Sequence, residues 1–232
     1  SEMCIRDSLN ILEFCRKNHV SKILYAQSFG DIKNYAEKDI LLKPDMKPDF
    51  SYNTDHTIYV MTKNFTVDMI KNYNQMYGIS AFIFRLPTIY LYSKTDTYFV
   101  NGEERKIGYR LLIDNAIEGK DIEIWGDKTR KKDMVYVKDF CQMMYKALIS
   151  DRKFGHYNVG TGVGTSLEKQ IEGIIDVFSD GVHKSKIIER KDKPNSPQYI
   201  MDIQNAKDEL GYEPKYNLSL IHISEPTRHS LI

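Results

Sequence analysis

The sequence is poor in the features that would assign it to several protein classes. Three cysteines in 232 residues are too few for a disulfide framework. Cys15 and Cys141 lie far apart among helical patterns, so buried thiols in a reducing compartment are expected. Charge of one sign is missing: 33 basic against 32 acidic residues leave a net charge of +1. That balance gives no electrostatic case for nucleic acid or an anionic membrane. No apolar run is long enough to span a bilayer, and no signal-peptide pattern stands at the start. A cytoplasmic protein is expected, in keeping with the reducing compartment that the thiols suggest; the start of the sequence is uninformative on this point. His19, His56, His156 and His183 are scattered without ligand spacing, so no metal site is expected. The single tryptophan and the 16 tyrosines come without a basic stripe, which makes them core and pocket material rather than a base-stacking platform. Repeats and low-complexity tracts are absent. What is present is the composition of an ordinary globular protein, at a length that suits one large domain or two small ones.

The two ends stand apart. Back-translated as ATG TGT ATA AGA GAC, Met3–Asp7 has a reverse complement that encodes Ser-Leu-Ile-His in a shifted frame, and that run recurs at Ser219–His222. Mutually complementary ends resemble a sequencing adapter read through on both sides, rather than natural amphipathic tails. Residues 1–8 and 218–232 are accordingly set aside from fold reasoning. Residues 9–217 then read as an internal fragment of a longer gene.

Between the ends, strand and helix patterns alternate. Leu9, Leu12 and Cys15 recur at helical spacing up to Val20, and Lys22–Ser28 reads as a strand. Asn34–Thr54, with Pro44 and Pro48, reads as a long and hence functional loop. A long helix is expected from His56 to Tyr77, followed by the apolar strand Ser80–Leu86. Such alternation predicts an α/β fold with a parallel sheet. Further on, residues 90–104 read as loop and 106–118 as a helix closed by Gly119. Residues 121–125 and 134–137 read as strands, and 138–149 as a helix. Residues 156–159 follow as a strand, with a helix to Phe178, a short strand at 186–189 and a last helix at 203–210. Thr165-x-x-Glu168 has capping-box spacing, and Asp202 is the expected cap of the last helix.

Tyr59 and Lys63 carry the chemistry. Four residues apart on a helix, they share one face. An ammonium one turn from a phenol favours the phenolate, which suits Tyr59 to general acid/base work near neutral pH. Ser28, at the end of the preceding strand, can offer a hydroxyl to the same substrate oxygen. Tyr-x-x-x-Lys alone is a weak motif in a tyrosine-rich chain; its place between two strands is what raises it.

With Arg85-Leu-Pro-Thr88, Ile124-Trp-Gly-Asp127, Lys132–Asp139, Tyr157–Gly162 and Ala206–Lys215 in order, the chain resembles the extended short-chain dehydrogenase/reductase family, and more closely its NAD-dependent sugar-nucleotide epimerases and dehydratases. The resemblance covers essentially residues 9–217. It implies a partial Rossmann-type parallel sheet, with its first strands missing, in residues 9–100. Residues 101–217 would form mainly a smaller α/β substrate-binding domain, with some segments returning to the sheet. It also implies NAD as cofactor, with NADP open, and a nucleotide-diphosphate sugar as substrate. Catalysis would fall to Ser28, Tyr59 and Lys63, and cofactor binding to Tyr59, Lys63, Arg85 and Pro87. Substrate binding would fall to Thr88, Arg130, Lys132 and Tyr136. A homodimer through the Tyr59 helix and the one from Leu9 is implied for the full-length protein. Epimerisation through transient oxidation to a keto-sugar is the expected reaction. A 4,6-dehydratase, a reductase and a non-catalytic nucleotide-binding relative are the alternatives. In the dehydratase branch the residue at the position of Ser28 resembles Thr followed by Asp-Glu; here Phe29-Gly30 follow.

Departures from the family pattern are informative. The glycine-rich phosphate loop and its strand are missing, so the chain by itself is expected to be inactive. Ile32 stands where a tyrosine is common, and Thr88 where an asparagine is. Lys132-Asp133-Met134 replaces Arg-Asp-Phe; a lysine keeps the charge but loses the bidentate fork, with Arg130 near enough to compensate. The run Lys128–Lys132 reads as a diphosphate clamp. Gly160-Thr-Gly162-Val-Gly164 mimics a dinucleotide fingerprint, but Thr165 replaces the third glycine. No acidic residue sits at the end of a second strand about twenty residues on, so a glycine turn beside the substrate domain is expected.

Overall fold

The computed structural model of the chain describes residues 2–38, 40–91, 95–100 and 103–216. The adapter-like 218–232 stretch lies outside the described residues. At the other end, helix α1 spans Glu2–Lys17 and continues upstream through the adapter-like residues. It buries Leu12 and Cys15. Strand β1 (Lys22–Ser28) follows. Next come a 3-10 segment, Phe29–Lys38, and the two-residue β2 (Leu41–Leu42). The stretch 34–54, expected to be loop throughout, is thus ordered in part.

Helix α2 (Thr57–Tyr77) ends at Gly78, whose left-handed φ of 70° lets its N–H return to the Asn74 carbonyl. Strand β3 (Ser80–Leu86) is buried along nearly its whole length, as a parallel strand covered on both faces must be. The short β4 (Ile89–Tyr90) leads to an antiparallel pair, β5 (Thr97–Val100) and β6 (Glu103–Lys106). This pair corrects the loop expected over 90–104: its polar and aromatic residues carry no period-2 burial to read. Helix α3 (Gly108–Ile117), β7 (Ile122–Trp125), β8 (Lys131–Asp133), β9 (Val135–Tyr136) and α4 (Val137–Ile149) come next. Strands β10 (Phe154–Asn158) and β11 (Gly164–Ser166) precede α5 (Leu167–Phe178). Strands β12 (Ile187–Arg190) and β13 (Ile200–Met201) and helix α6 (Gln204–Leu210) complete the order.

Ser166, not Thr165, caps α5, accepting from the Lys169 N–H. Glu168 turns away from the expected capping box and pairs with Lys128 at 2.5 Å. Asp202 accepts from the Gln204 N–H at 2.9 Å, but it stands two residues before the α6 start, and Ile203 occupies the cap position expected for it.

The main sheet is parallel, in the order β1-β3-β10, so the α/β expectation holds. One face carries Phe82, Phe84 and Tyr157 against Met143, Ala147, Ala206 and Leu210 of α4 and α6. The other carries Ala81 and Ile83 against Leu12 of α1 and Val67, Ile70 and Tyr73 of α2. Tyr73 ties the two helices together by donating to Glu13 at 2.5 Å. A separate cluster joins Ile113, Ile122, Ile124, Ile171 and Ile175 from α3, β7 and α5. The cysteines are free, Cys15 buried as expected and Cys141 exposed. The exposed Cys141 corrects the sequence expectation; it sits on the outer face of α4, whose buried stripe runs through Met143 and Ala147. Among the described residues no helix is long and apolar enough to cross a membrane.

Candidate functional site

The parallel register sets Ser28 opposite Leu86, at the carboxyl ends of two adjacent strands. In open α/β sheets that is where ligands bind. The chain leaves β1 through Phe29-Gly30. A Cβ on Gly30 would stand 2.9 Å from Val60 Cγ2 of α2 and 3.2 Å from Ser28 Oγ, so only glycine lets the 3-10 segment lie this close to α2. The Gly30 N–H donates to Ser28 Oγ at 3.1 Å, which fixes the hydroxyl and leaves its proton free to point outward.

Helix α2 starts beside this turn, held by Thr57 Oγ1 donating to the Ser51 carbonyl at 2.9 Å. One turn in, Tyr59 is half exposed. Lys63 reaches back to β1, donating to the Ala26 carbonyl at 2.9 Å. Its ammonium lies 5.8 Å from the Tyr59 ring centroid and 5.0 Å from that of Tyr25. Ser28, Tyr59 and Lys63 therefore meet at one sheet end.

Three cavities join there. The first, of about 450 Å³, is lined by Ser28, Phe29, Tyr59, Thr88, Lys132 and Tyr199 among others. The second, of about 560 Å³, shares Thr88, Lys132 and Tyr199 and runs on past Tyr90, Trp125 and Gln170. The third, of about 340 Å³, is lined by Ser28, Tyr59, Lys63, Pro87 and Thr88 among others. Thr88 borders all three, while Ser28 and Tyr59 face the first and third. Phe29 packs on Tyr199 at 4.8 Å between ring centroids, bringing the turn after β1 against the approach to β13.

Of the basic run 128–132, Lys132 alone lines the cavities. Burial pushes its ammonium below the ordinary lysine range, and the nearby Arg130 charge adds to this; no carboxylate offsets either effect among the described residues. Arg130 donates through Nε to the Ser196 carbonyl at 2.6 Å, one residue from the cavity-lining Pro197. Lys128 is taken up by Glu168.

Two expected site residues are elsewhere. Arg85 lines none of these cavities. Its guanidinium is buried and grips Asp31 through Nε at 3.0 Å and Nη2 at 2.9 Å, with Nη1 reaching the Pro44 carbonyl and Asn158 Oδ1. Burial raises the Asp31 carboxyl against the pull of that guanidinium. Tyr136 is also buried, packed with Tyr90 and against the Tyr216 ring at 5.1 Å. Both placements have one physical cause: the side chains are packed inside the protein against partners distant in sequence.

The glycine turn has its own anion, and it is internal. Asp133 is fully buried. Its carboxylate accepts from the Thr161 N–H and hydroxyl, the Gly162 N–H and the Met201 N–H, at 2.6 to 3.2 Å. The amides that a dinucleotide phosphate would need are thus committed. A Cβ on Gly160 would meet Asp133 Oδ2 at 2.5 Å. Gly160→Ala is therefore expected to destabilise by about 1–3 kcal/mol, as overpacking does. Urea unfolding checks this, and a midpoint equal to wild type contradicts it. The residues that sequence reasoning missed here are Asp31, Asp133 in its bracing role, and Tyr199. The glycine spacing 160–164 hinted at the second; nothing local marked the others.

Comparison with known proteins agrees with this geometry. The family model described as "NAD dependent epimerase/dehydratase family" matches residues 4–160. A candidate UDP-glucose 4-epimerase of Methanocaldococcus jannaschii is 28% identical over 213 residues, 91% of this chain and 64% of that protein. This chain thus spans less than two thirds of that relative. The crystal structure of a UDP-glucose 4-epimerase from Thermotoga maritima with UDP-glucose superposes with a TM-score of 0.74 at 22% identity, covering 93% of this chain and 67% of that one. A UDP-glucuronic acid 4-epimerase from Bacillus cereus in complex with NAD gives 0.71 at 22% identity, over 94% and 64%. At that identity the two structures speak for the fold.

Proposed function

The chain belongs to the NAD-dependent epimerase/dehydratase family, and from that premise we propose that it carries the proton-transfer and substrate-binding machinery of a nucleotide-sugar epimerase. The observation that carries this reading is the junction of three cavities at Thr88, with Ser28 and Tyr59 facing two of them. The third cavity fits the nicotinamide and ribose end of NAD: it is open, and offers the Tyr59 phenol and the Lys63 ammonium as hydrogen-bonding groups. The dinucleotide's phosphates find no glycine cradle among the described residues, since the turn at Gly160–Gly162 is filled by Asp133. Tight NAD binding by this chain alone is therefore not expected.

When bound, the cofactor accepts and returns a hydride. Tyr59 would take the proton of the sugar hydroxyl as that carbon is oxidised, and return it to the same oxygen when the carbon regains hydride on its opposite face. Lys63, fixed to the Ala26 carbonyl beside Tyr59, can hold the ribose. The Ser28 hydroxyl orients the same sugar oxygen. Lys132, a partly desolvated cation without an acidic partner among the described residues, suits a diphosphate, with Arg130 beside it. The second cavity takes the nucleotide. The cluster around Ile122 and Ile171 gives this substrate-binding part its own core. Exposed Phe14 on α1 and Phe65 on α2 support a homodimer through these two packed helices. Phe29-Gly30 after Ser28 supply no acid pair for water loss, which favours epimerase over dehydratase.

The test uses the longest natural reading frame that contains this chain. Turnover of UDP-, GDP- or dTDP-sugars is assayed with NAD, and the absorbance spectrum is read for bound NAD(H). Neither turnover nor cofactor binding with any of them would sink the reading. Within it, Tyr59→Phe is expected to lower kcat about a hundredfold, the lower bound for losing a positioned acid/base, with little change in KM. A kcat within threefold of wild type would remove Tyr59 from the role.

A further inference from the structure

The first cavity has a charge pattern that an uncharged hexose does not use. Among the described residues no carboxylate lines it. Two cations do, and they sit in different places. Lys132 also lines the second cavity, so it marks the passage towards the nucleotide. Lys33 lines the first cavity alone, together with Asn34, Ser51, Thr54 and His56. It comes from the 3-10 segment that follows Ser28, whereas Lys132 comes from β8. The acids near Lys33 are engaged elsewhere: Asp31 holds Arg85, and Asp49 accepts from Asn34 Nδ2 at 2.8 Å. Asp55 lies 4.0 Å from His56 Nε2 and does not line the cavity. Lys33 forms no ion pair among the described residues. The Lys33 side of the cavity therefore offers an ammonium and neutral hydrogen-bonding groups, with no acid lining it among the described residues.

Resting on the nucleotide-sugar reading, we propose that the sugar itself carries a second anionic group, a carboxylate as in a uronic acid, and that Lys33 recognises it. Lys132 meets the diphosphate and Lys33 the sugar carboxylate, with Ser28 and Tyr59 lining the same cavity. The pairing of an ammonium with a carboxylate is electrostatic, so its gain falls with salt. A neutral sugar leaves that ammonium without a partner, which is how a site built for a charged group discriminates.

Calorimetric titration of this chain with UDP-glucuronate and UDP-glucose tests it, with the matching dTDP pair as further arms. The expected result is at least tenfold tighter binding of the uronate in whichever nucleotide series binds. Lys33→Gln should bring the ratio close to one, Lys33→Arg should keep it, and rising salt should reduce it. Equal affinity for the two sugars overturns the proposal and leaves the nucleotide-sugar reading standing. So does a uronate preference that Lys33→Gln does not touch. Binding of no nucleotide sugar by a chain that unfolds cooperatively overturns both. Lys33 is exposed, so its variants are expected to fold as wild type.

Discussion

Arg85→Ala is expected to cost about 3–5 kcal/mol of folding stability, the range for removing one partner of a buried ion pair. The reason is what stays behind. Asp31 and Arg85 are 1% and 2% exposed, so neither can fall back on water. Asp31 would keep the Gln27 amide, at 2.9 Å, and the backbone N–H groups of Asp31 and Ile32, but with its cation gone its carboxyl would be driven to take up a proton. The Pro44 carbonyl and Asn158 Oδ1 would each lose a donor. Arg85→Lys is expected to recover little, because one ammonium cannot reproduce a fork that holds a carboxylate, a carbonyl and an amide oxygen at once. The double variant Asp31→Leu/Arg85→Met is expected to be more stable than Arg85→Ala, since apolar pairs often replace buried ion pairs without loss. Urea unfolding of the four proteins decides it. A single variant within 1 kcal/mol of wild type would show that the pair is solvated or dispensable. The effect extends to the site: Asp31 lies in the segment that carries Phe29, Lys33 and Asn34 into the first cavity. Losing its anchor on β3 frees that wall.

This pair also shows where sequence reading stops. Strands β1 and β3 were legible to the residue, because an apolar run bounded by a turn leaves one choice of strand. Helix α2 was legible from its length, and the Ser28–Tyr59–Lys63 grouping followed from strand, helix, strand in order. Arg85 was read as a cofactor ligand because it precedes Pro87, which does line the third cavity. Its actual partner lies 54 residues away, and no local pattern marks such a pairing. Tyr136 shows the same limit, since a tyrosine three residues from a buried aspartate looks alike whether it faces a pocket or the Tyr216 ring. The glycine turn at 160–164 was legible as not a dinucleotide site, through its missing third glycine. That an internal carboxylate occupies it needed the fold. The hairpin of β5 and β6 was hidden by four exposed residues, Glu103–Lys106, which carry no alternation.

The pH dependence of stability is expected to steepen on the acid side because of one buried histidine. His156 lies on β10, and its Nε2 is fully buried without a hydrogen-bond partner. Burial is the main reason that its pKa falls from 6.5 to about 3; the Arg85 and Lys71 charges add to it. The folded protein thus holds His156 neutral where the unfolded chain would protonate it. Between the two pKa values the unfolded state binds the extra proton, so stability rises with pH. Above 6.5 the imidazole is neutral in both states and contributes no slope. Each pH unit below that costs up to about 1.4 kcal/mol, or roughly 3 kcal/mol on going from pH 6.5 to 4. Other groups titrate in the same range. Asp180, held down to about 2 by the His183 backbone N–H and side chain, weakens the fold only on stronger acidification. Buried Asp31, Asp133 and Asp139 are raised and act in the opposite direction. A difference between two proteins isolates the histidine. His156→Leu removes the proton site and keeps an apolar side chain on the sheet face opposite Tyr157, so its stability relative to wild type should be constant above pH 7 and improve steadily below 6.5. Urea midpoints at pH 7, 6, 5 and 4 give the two curves. Parallel curves over that range would mean that water reaches the His156 ring and that β10 is less tightly covered than its packing indicates.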